Sequence, residues 1–235
     1  MNKQKILSNK LKARKALAQL ILDNGGELEM LHVSRSNKKL VPNETTAFII
    51  WNLQAKVTCP YATPHCKAQC YAIKAEIAYP DVLPARVRNF LDTQRPDFVA
   101  RMIYTILYIA AHTNKEKIIV RIHESGDFYN LAYVNKWLAI MDACKIDKRI
   151  KFIAYTKSFP YFDNVVLPGN FAFRASIWDD TKPEFLEMIQ RNNWNVYTAV
   201  EKFQKGDNFT RCRCKDCATC GKCWKAYKDI RCEIH

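Results

Sequence analysis

The segment KIIVRIHESGDF, residues 117–128, decides the fold expected of this chain. Its first seven residues are mostly β-branched and apolar, which predicts a buried strand, and the turn residues ESGDF follow at once. Helical patterns lie on both sides: two stretches over residues 85–112, interrupted near Pro96, and one over residues 130–144. A strand between helices indicates parallel pairing through right-handed crossovers.

Four further runs predict strands of the same kind: AFIIWNL (47–53), IKFIAYT (150–156), NFAFRASIW (170–178) and WNVYTAV (194–200). The last two are separated by KPEFLEMIQRN, a predicted helix with Pro183 in its first turn. Strands that alternate with helices predict an α/β fold. We expect a partial β/α barrel, because a complete one needs eight such units and this chain offers five.

The first 24 residues predict a basic amphipathic helix that ends at Gly25 and Gly26. The residues of its expected apolar face are Leu7, Leu11, Ala18, Ile21 and Leu22. A cysteine-rich sequence begins after Gly206 and is the clear compositional break in the chain. We therefore expect a barrel domain over residues 1–205, with this helix at its start, and a metal-binding tail over residues 206–235 that packs on the barrel.

Composition limits the class of protein. Hydrophobic residues make up 49% of the 235 residues and charged ones 26%, which is typical of a globular domain and not of a disordered chain. The formal net charge of +14 favours polyanionic partners such as nucleic acid. The N-terminus lacks the continuous apolar run of a secretory signal, and no segment approaches the roughly 20 apolar residues of a membrane span. We expect a cytoplasmic protein with no membrane partner.

Polar motifs follow four of the predicted strands: TCPYATPHCKAQCYA (58–72), HESGDF (123–128), YTKS (155–158) and SIWDD (176–180). In β/α folds, active groups collect at the carboxyl ends of the strands, on the loops that follow them. We therefore expect these motifs to lie together at one edge of the sheet and to form a site for a small-molecule ligand.

The first motif contains Cys59, Cys66 and Cys70. Cysteines in a reducing compartment are more often metal ligands than disulfide partners. Three thiolates leave one position of a four-ligand site open, which favours an iron–sulfur cluster, [4Fe-4S] in type, with one iron free for a ligand. Two alternatives remain: His65 completes a zinc site, or some of the thiols are merely buried.

The six tail cysteines are Cys212, Cys214, Cys217, Cys220, Cys223 and Cys232. Within them CATCGKC has the C-x2-C-x2-C spacing of bacterial ferredoxins, although C-x2-C pairs also bind zinc. The candidate ligands are Cys212, Cys214, Cys217, Cys220 and Cys223. Thiols beyond the four that one site needs would hold a second ion or complete the set begun by Cys59, Cys66 and Cys70. Cys144, alone at the end of a predicted helix, is expected to be a core residue.

Further charged residues are candidates for the pocket. Lys157 and Tyr155 could bind a phosphate or carboxylate of a substrate, and Arg121 and Arg174 lie on strands, where a buried charge needs a partner. Arg121 should share one face of its strand with His123, two residues further on. The alternative for both arginines is an ion pair inside the barrel.

Taken in order, TCPYATPHCKAQCYA, VRIHESGDFYN with Trp137 after it, FIAYTKS, NFAFRASIW and CATCGKCW resemble the phage and mobile-element family called gene product 88. The resemblance covers roughly residues 30–225. That family is named after its gene and not after a reaction, so it implies a phage-type protein in the host cytoplasm and little chemistry.

A cysteine triplet after the first strand is also similar to the layout of radical S-adenosylmethionine enzymes. This resemblance implies a [4Fe-4S] cluster and S-adenosylmethionine, bound at the turn formed by Glu124, Ser125, Gly126 and Asp127. The spacing departs from that family, because C-x6-C-x3-C stands here in place of C-x3-C-x2-C. The same turn has a structural interpretation, in which Ser125 or Asp127 caps the next helix. We take Glu124, Asp127 and Lys157 as the candidate catalytic residues.

Two functions follow from these patterns. The first is an iron–sulfur protein similar to the radical enzymes, and the second is a zinc-stabilised nucleic-acid-binding protein without catalysis. A redox or iron sensor is a third and weaker interpretation. Whether the chain is an enzyme stays open, since the sequence contains no hydrolase triad at a recognisable spacing, no P-loop and no dinucleotide-binding glycine motif.

Overall fold

A computed structural model describes residues 2–203, 209–212, 216–225 and 228–233. Its centre is a seven-stranded sheet in the order β1-β2-β3-β4-β5-β7-β6, and every neighbouring pair is parallel. The strands are β1 (Thr46–Trp51), β2 (Lys117–Ile122), β3 (Ile150–Thr156), β4 (Phe171–Ile177), β5 (Val196–Val200), β6 (Thr210–Arg211) and β7 (Asp229–Glu233).

The helices are α1 (Lys3–Asp23), α2 (Pro64–Ala68), α3 (Tyr71–Ala78), α4 (Val82–Gln94), α5 (Phe98–His112), α6 (Leu131–Ala143), α7 (Pro183–Arg191) and α8 (Cys217–Cys220). Local chemistry explains several boundaries. Arg95 is extended before Pro96 and separates α4 from α5, as a residue before proline prefers. The Asn130 side chain accepts a 2.8 Å hydrogen bond from the Tyr133 amide and caps α6.

The two faces of the sheet are covered differently. Helices α1, α5, α6 and α7 pack on one face and form the main core, to which strands contribute residues such as Trp51 and Phe152. The other face is covered by the loop residue Leu40 and by tail residues that include Ala218 and Trp224. Strands β1 to β3 are thus buried on both faces, which explains their nearly continuous apolar sequence.

Helix α1 packs through a different face from the one predicted. Leu7, Leu11 and Leu22 are 66%, 54% and 73% exposed. The residues that contact the core are spaced three or four apart: Ala13, Ala16, Leu17 and Leu20. The prediction was wrong because α1 packs on α5 through the stripe around Ala13, which lies on the opposite side of the helix from Leu7, Leu11 and Leu22.

The predicted parallel α/β fold is confirmed, and each of the five predicted strands is present within two residues at either end. Two strands were missed: β6, which is too short to give a pattern, and β7, which comes from the tail and pairs with β5. Strands β1 and β6 are the two edges of the sheet in the described residues, so barrel closure is not seen there. No helix in the described ranges is both long and apolar enough to cross a membrane.

Candidate functional site

The segment from Thr58 to Tyr71 lies across the carboxyl edge of the sheet. The Asp127 amide, after β2, donates to the Thr58 carbonyl at 3.2 Å, and the Tyr71 hydroxyl donates to the Glu124 carbonyl. At the far end, the His65 amide donates to Oδ2 of Asp180, after β4, at 2.8 Å. The motifs that were predicted to share this edge therefore do so, because the carboxyl ends of neighbouring parallel strands lie at the same edge.

The three thiols of this segment are close enough to interact electrostatically. Burial raises the pKa of the Cys59 thiol, and the charges of Asp127, Cys66 and Cys70 act in the same direction, which brings it to about 12. Burial likewise raises the pKa of Cys66, against which the Lys157 ammonium acts in the opposite direction. In the described part of the chain, no three His, Cys, Asp or Glu side chains have an arrangement that could hold a metal ion as they stand.

Two of these cysteines belong to short helices and not to the irregular loop that was predicted. Thr63 is the N-cap of α2, and its hydroxyl accepts a 3.3 Å hydrogen bond from the Cys66 amide. Cys70 is the N-cap residue of α3, and its side chain makes no cap hydrogen bond. The thiol of Cys70 is thus not committed to capping and remains available at the start of the helix.

The turn Glu124 to Asp127 is fixed to the loop after β1. The Leu53 amide donates to the Ser125 carbonyl at 2.9 Å, and the Ser125 hydroxyl donates to the Leu53 carbonyl at 2.9 Å. Gly126 has φ +76°, and a Cβ at this position would lie 2.5 Å from Thr58 Oγ1 and 2.6 Å from Leu53 Cβ. Glycine is needed here for both its conformation and its size, so the turn holds the cysteine segment in place.

The Asp127 carboxylate is the hydrogen-bonding centre of this edge. It accepts bonds from the amides of Phe128 at 2.8 Å, Lys157 at 2.9 Å and Ser158 at 3.2 Å, and from the Thr156 hydroxyl at 2.5 Å. Burial raises the pKa of this carboxyl despite these donors. Its oxygens are occupied in joining the ends of β2 and β3, which is a positioning role; the cap of α6 is Asn130 instead.

Lys157 is buried beside the cysteines. Its Nζ lies 3.1 Å from Ser176 Oγ and 5.4 Å from the centre of the Trp178 ring. Burial lowers the pKa of its ammonium, and the charges of Cys66, Asp127 and Asp180 oppose that effect. Lys157 thus places a cation next to the Cys66 thiol, as expected of a residue in the candidate pocket.

Glu124 and Tyr71 lie together at the same edge. The Glu124 carboxylate accepts a hydrogen bond from Asn37 Nδ2, and the Glu124 amide donates to Asn52 Oδ1 at 2.8 Å. Tyr71 is 59% exposed, and its hydroxyl donates to the Glu124 carbonyl. The surrounding protein desolvates this hydroxyl and raises its pKa to about 12.

His65 is tied to the loop after β4. Its Nδ1 lies 2.7 Å from Asp179 Oδ1, and its ring packs edge-on against Trp178 with centroids 4.8 Å apart. His65 is not among the main influences on the Cys59 and Cys66 thiols. The nitrogen left for a metal is Nε2, and the pairing with Asp179 is of the kind that orients a metal-binding imidazole.

Most tail residues predicted as metal ligands lie on the second face of the sheet. Helix α8 contains Cys217 and Cys220, and Cys223 follows it. Cys212 lies directly after β6, whereas Cys214 is outside the described residues. Cys144 is fully buried in the main core, as predicted.

The pocket candidates on the strands face the tail. The Arg121 guanidinium lies 3.9 Å from the centre of the Tyr155 ring, and Arg174 donates from Nε to the Cys223 carbonyl at 2.7 Å. His123 does not share the face of Arg121, contrary to the prediction. It has φ +59° beyond the end of β2, which breaks the strand alternation, and its ring packs on Phe128 in the main core.

Several site residues were missed. Asn37 and Asn52 bind Glu124, Tyr71 donates to its carbonyl, and Asp180 accepts from the His65 amide of α2. Tyr71 and Asp180 lie within motifs that were predicted to share this edge, but neither was singled out, and Asn52 lies within the predicted strand 47–53. Asn37 comes from a loop whose position at this edge depends on the folded structure.

Fold and site together define a parallel α/β protein with three cysteines at the carboxyl edge of its sheet. A family model described as gene product 88 matches residues 31–226, and the chain therefore belongs to that family. No curated protein and no solved structure matches the chain. The similarity to radical S-adenosylmethionine enzymes gains no support from these comparisons.

Proposed function

We propose that the protein binds an iron–sulfur cluster through Cys59, Cys66 and Cys70 and presents it to a small-molecule ligand at the carboxyl edge of a partial β/α barrel. The observation that carries the proposal is the position of one segment with three cysteines, which lies across the edge where four strand ends meet. A set of three thiolates suits a cluster with one iron left for a ligand.

The surroundings of the thiols support an anionic cluster. Lys157 brings a buried cation to Cys66, and an anionic cluster at the thiols would offset the desolvation that lowers the pKa of this lysine. The side chains would have to turn towards one centre on binding, which a rotation about each Cα–Cβ bond permits. When bound, the cluster would supply one-electron chemistry at this edge.

The ligand would bind beside the cluster. Glu124 offers a carboxylate to a cationic group of the ligand, and the exposed Tyr71 lies next to Glu124. The buried Asp127 holds the strand ends and positions Lys157 through its backbone amide. S-adenosylmethionine, which carries an amino group and a sulfonium, is the first ligand to test.

The test is the electron paramagnetic resonance spectrum of the reduced protein with and without S-adenosylmethionine. The proposal predicts that the ligand changes the cluster signal and that Glu124→Gln weakens this change while cluster content stays the same. Glu44→Gln, at an exposed loop position, is the matched control. An unchanged wild-type spectrum at full cluster content would remove this ligand from the proposal.

A second candidate is a zinc-stabilised protein that binds nucleic acid without catalysis. The observation in its favour is the surface of α1, which has no acidic residue before Asp23. Its five exposed basic residues are Lys3, Lys5, Lys12, Arg14 and Lys15. The Asp179–His65 pair would then orient Nε2 towards zinc.

Fluorescence anisotropy with labelled oligonucleotides at several salt concentrations tests this candidate. If it is right, affinity falls steeply with salt, and the double variant Lys12→Glu, Lys15→Glu lowers it by at least tenfold. Lys182→Glu, at an exposed position before α7, should change it little. Zinc in the protein together with equal affinity of wild type and double variant would refute binding through α1.

A further inference from the structure

Arg174 fixes the segment around α8 to the second face of the sheet. From the buried side chain, Nε donates to the Cys223 carbonyl at 2.7 Å and Nη2 donates to the Lys225 carbonyl at 3.0 Å. The Cys217 amide donates to the Lys39 carbonyl at 3.0 Å. Both Cys217 and Cys223 pack against the smaller hydrophobic cluster on this face. Two tail thiols are thereby held at one place by contacts that do not involve a metal.

Strand pairing brings two more cysteines to the same face. In the β6–β7 pair Arg211 lies opposite Arg231, and the next amide, that of Cys212, donates to the Arg231 carbonyl at 2.6 Å. This places Cys212 beside Cys232, and their side chains hydrogen-bond to each other. The Cys232 thiol donates to the Glu233 carbonyl at 3.4 Å, and Cys232 lies opposite Ala199 in the β5–β7 pair.

These four thiols form one interacting group. The Cys212 side chain acts electrostatically on Cys217 and Cys223 and bonds to Cys232, and Cys223 acts on Cys217 and Cys232. Cys220, the last residue of α8, is not among the residues that pack with Cys217 and Cys223 against the smaller hydrophobic cluster. The structure therefore separates Cys220 from the other four described tail cysteines.

The positive charge around this group is larger than its described partners account for. Arg121 is 9% exposed, and its Nη1 has no hydrogen-bond partner. Its guanidinium lies over the Tyr155 ring, and Tyr155 packs with Cys223 against the smaller hydrophobic cluster. A buried cation is costly unless an opposite charge compensates it. Four thiolates around a divalent ion carry a net charge of about −2, which would supply that compensation.

From these contacts we infer that Cys212, Cys217, Cys223 and Cys232 are the ligands of a closed four-thiolate metal site that fastens the tail to the sheet, and that Cys220 is not a ligand. This C-x4-C-x5-C-x8-C set replaces the C-x2-C-x2-C interpretation of the sequence and adds Cys232 to the candidates. Closure by four protein thiolates is the arrangement of a structural site. As at the carboxyl edge, the thiols must turn towards a common centre to bind the ion.

The first test uses wild-type protein purified without oxygen. Iodoacetamide alkylation followed by mass spectrometry reports which thiols the bound metal protects. Cys212, Cys217, Cys223 and Cys232 should be protected together and become reactive when a chelator removes the metal, while Cys220 reacts before chelation. Protection of Cys214 or Cys220 in place of Cys232 would overturn the ligand set.

The second test compares single variants by their metal content. Cys232→Ser and Cys212→Ser should each lose the metal of the tail, whereas Cys220→Ser should keep it. If Cys220→Ser loses as much metal as Cys217→Ser while Cys232→Ser keeps it, the inference is wrong. The triple variant Cys59→Ser, Cys66→Ser, Cys70→Ser should leave tail protection unchanged, so failure of the iron–sulfur proposal is separable from failure here. Measuring zinc, iron and sulfide identifies the metal in each case.

Discussion

Replacing Gly126 with alanine tests how the turn after β2 holds the cysteine segment. The cost has two parts. Alanine at φ +76° costs about 1 kcal/mol of folding free energy relative to glycine. The added Cβ would also lie 2.5 Å from Thr58 Oγ1 and 2.6 Å from Leu53 Cβ, and relieving such overpacking costs about 1–3 kcal/mol more. We expect Gly126→Ala to lower the free energy of unfolding by about 2–4 kcal/mol.

Urea denaturation of alanine variants at two other glycines separates the conformational cost from the cost of overpacking. Gly25 has φ +71°, and a Cβ added there would meet nothing within 4 Å, so Gly25→Ala measures the conformational part alone. Gly169 has neither a positive φ nor a close neighbour, so Gly169→Ala should change stability little. If Gly126→Ala costs no more than Gly25→Ala, the close approach of the turn to Thr58 and Leu53 does not constrain the fold, and the reasoning fails.

Three further predictions concern stability. Burial, and next the charge of Arg121, lower the pKa of His123 to about 3, so at pH 5 the unfolded chain binds a proton at this residue and the folded chain does not. The free energy of unfolding should therefore fall by about 2 kcal/mol between pH 7.5 and pH 5. In urea titrations at both pH values, His123→Asn should remove that loss. A pH dependence of the free energy of unfolding that His123→Asn leaves unchanged would refute this. Asp147 and Arg149 form a fully buried pair at 2.6 Å, so Asp147→Asn should cost about 3–5 kcal/mol in the same assay; a cost below about 1 kcal/mol would contradict it. The exposed Lys182–Glu184 pair at 3.7 Å contributes little, and Glu184→Gln should shift the free energy of unfolding by less than about 0.5 kcal/mol; a larger loss would show an unrecognised contact.

The parallel sheet could be predicted because its strands are long, apolar and separated by recognisable helices. The predicted strand boundaries were wrong where the backbone makes hydrogen bonds outside the ladder of the sheet. Leu53 leaves β1 because its amide binds the Ser125 carbonyl, and β5 begins after Trp194 because the Trp194 amide ends α7 by bonding to the Ile189 carbonyl. No local pattern encodes these contacts. The same holds for α1, where Leu7, Leu11 and Leu22 are exposed while Leu17 and Leu20 pack on the core.

The candidate site was predictable in its location and less so in its composition. The order of strand and polar motif placed Cys59, Glu124 and Lys157 at one edge, because parallel strands share their carboxyl ends. In the tail, spacing and strand pairing indicate different neighbours. CATCGKC predicts ligands that are close in sequence, and strand pairing also places Cys212 beside Cys232, twenty residues away.

The iron and acid-labile sulfide contents of anaerobically purified protein test the central claim most directly when the wild type is compared with the triple variant Cys59→Ser, Cys66→Ser, Cys70→Ser. Subtracting the iron and sulfide of the triple variant from those of the wild type removes any contribution from the tail cysteines. A cluster held by these cysteines predicts a difference of about four iron and four sulfide per chain. Equal iron and sulfide in the two proteins, or zinc without sulfide in the wild type, would contradict it.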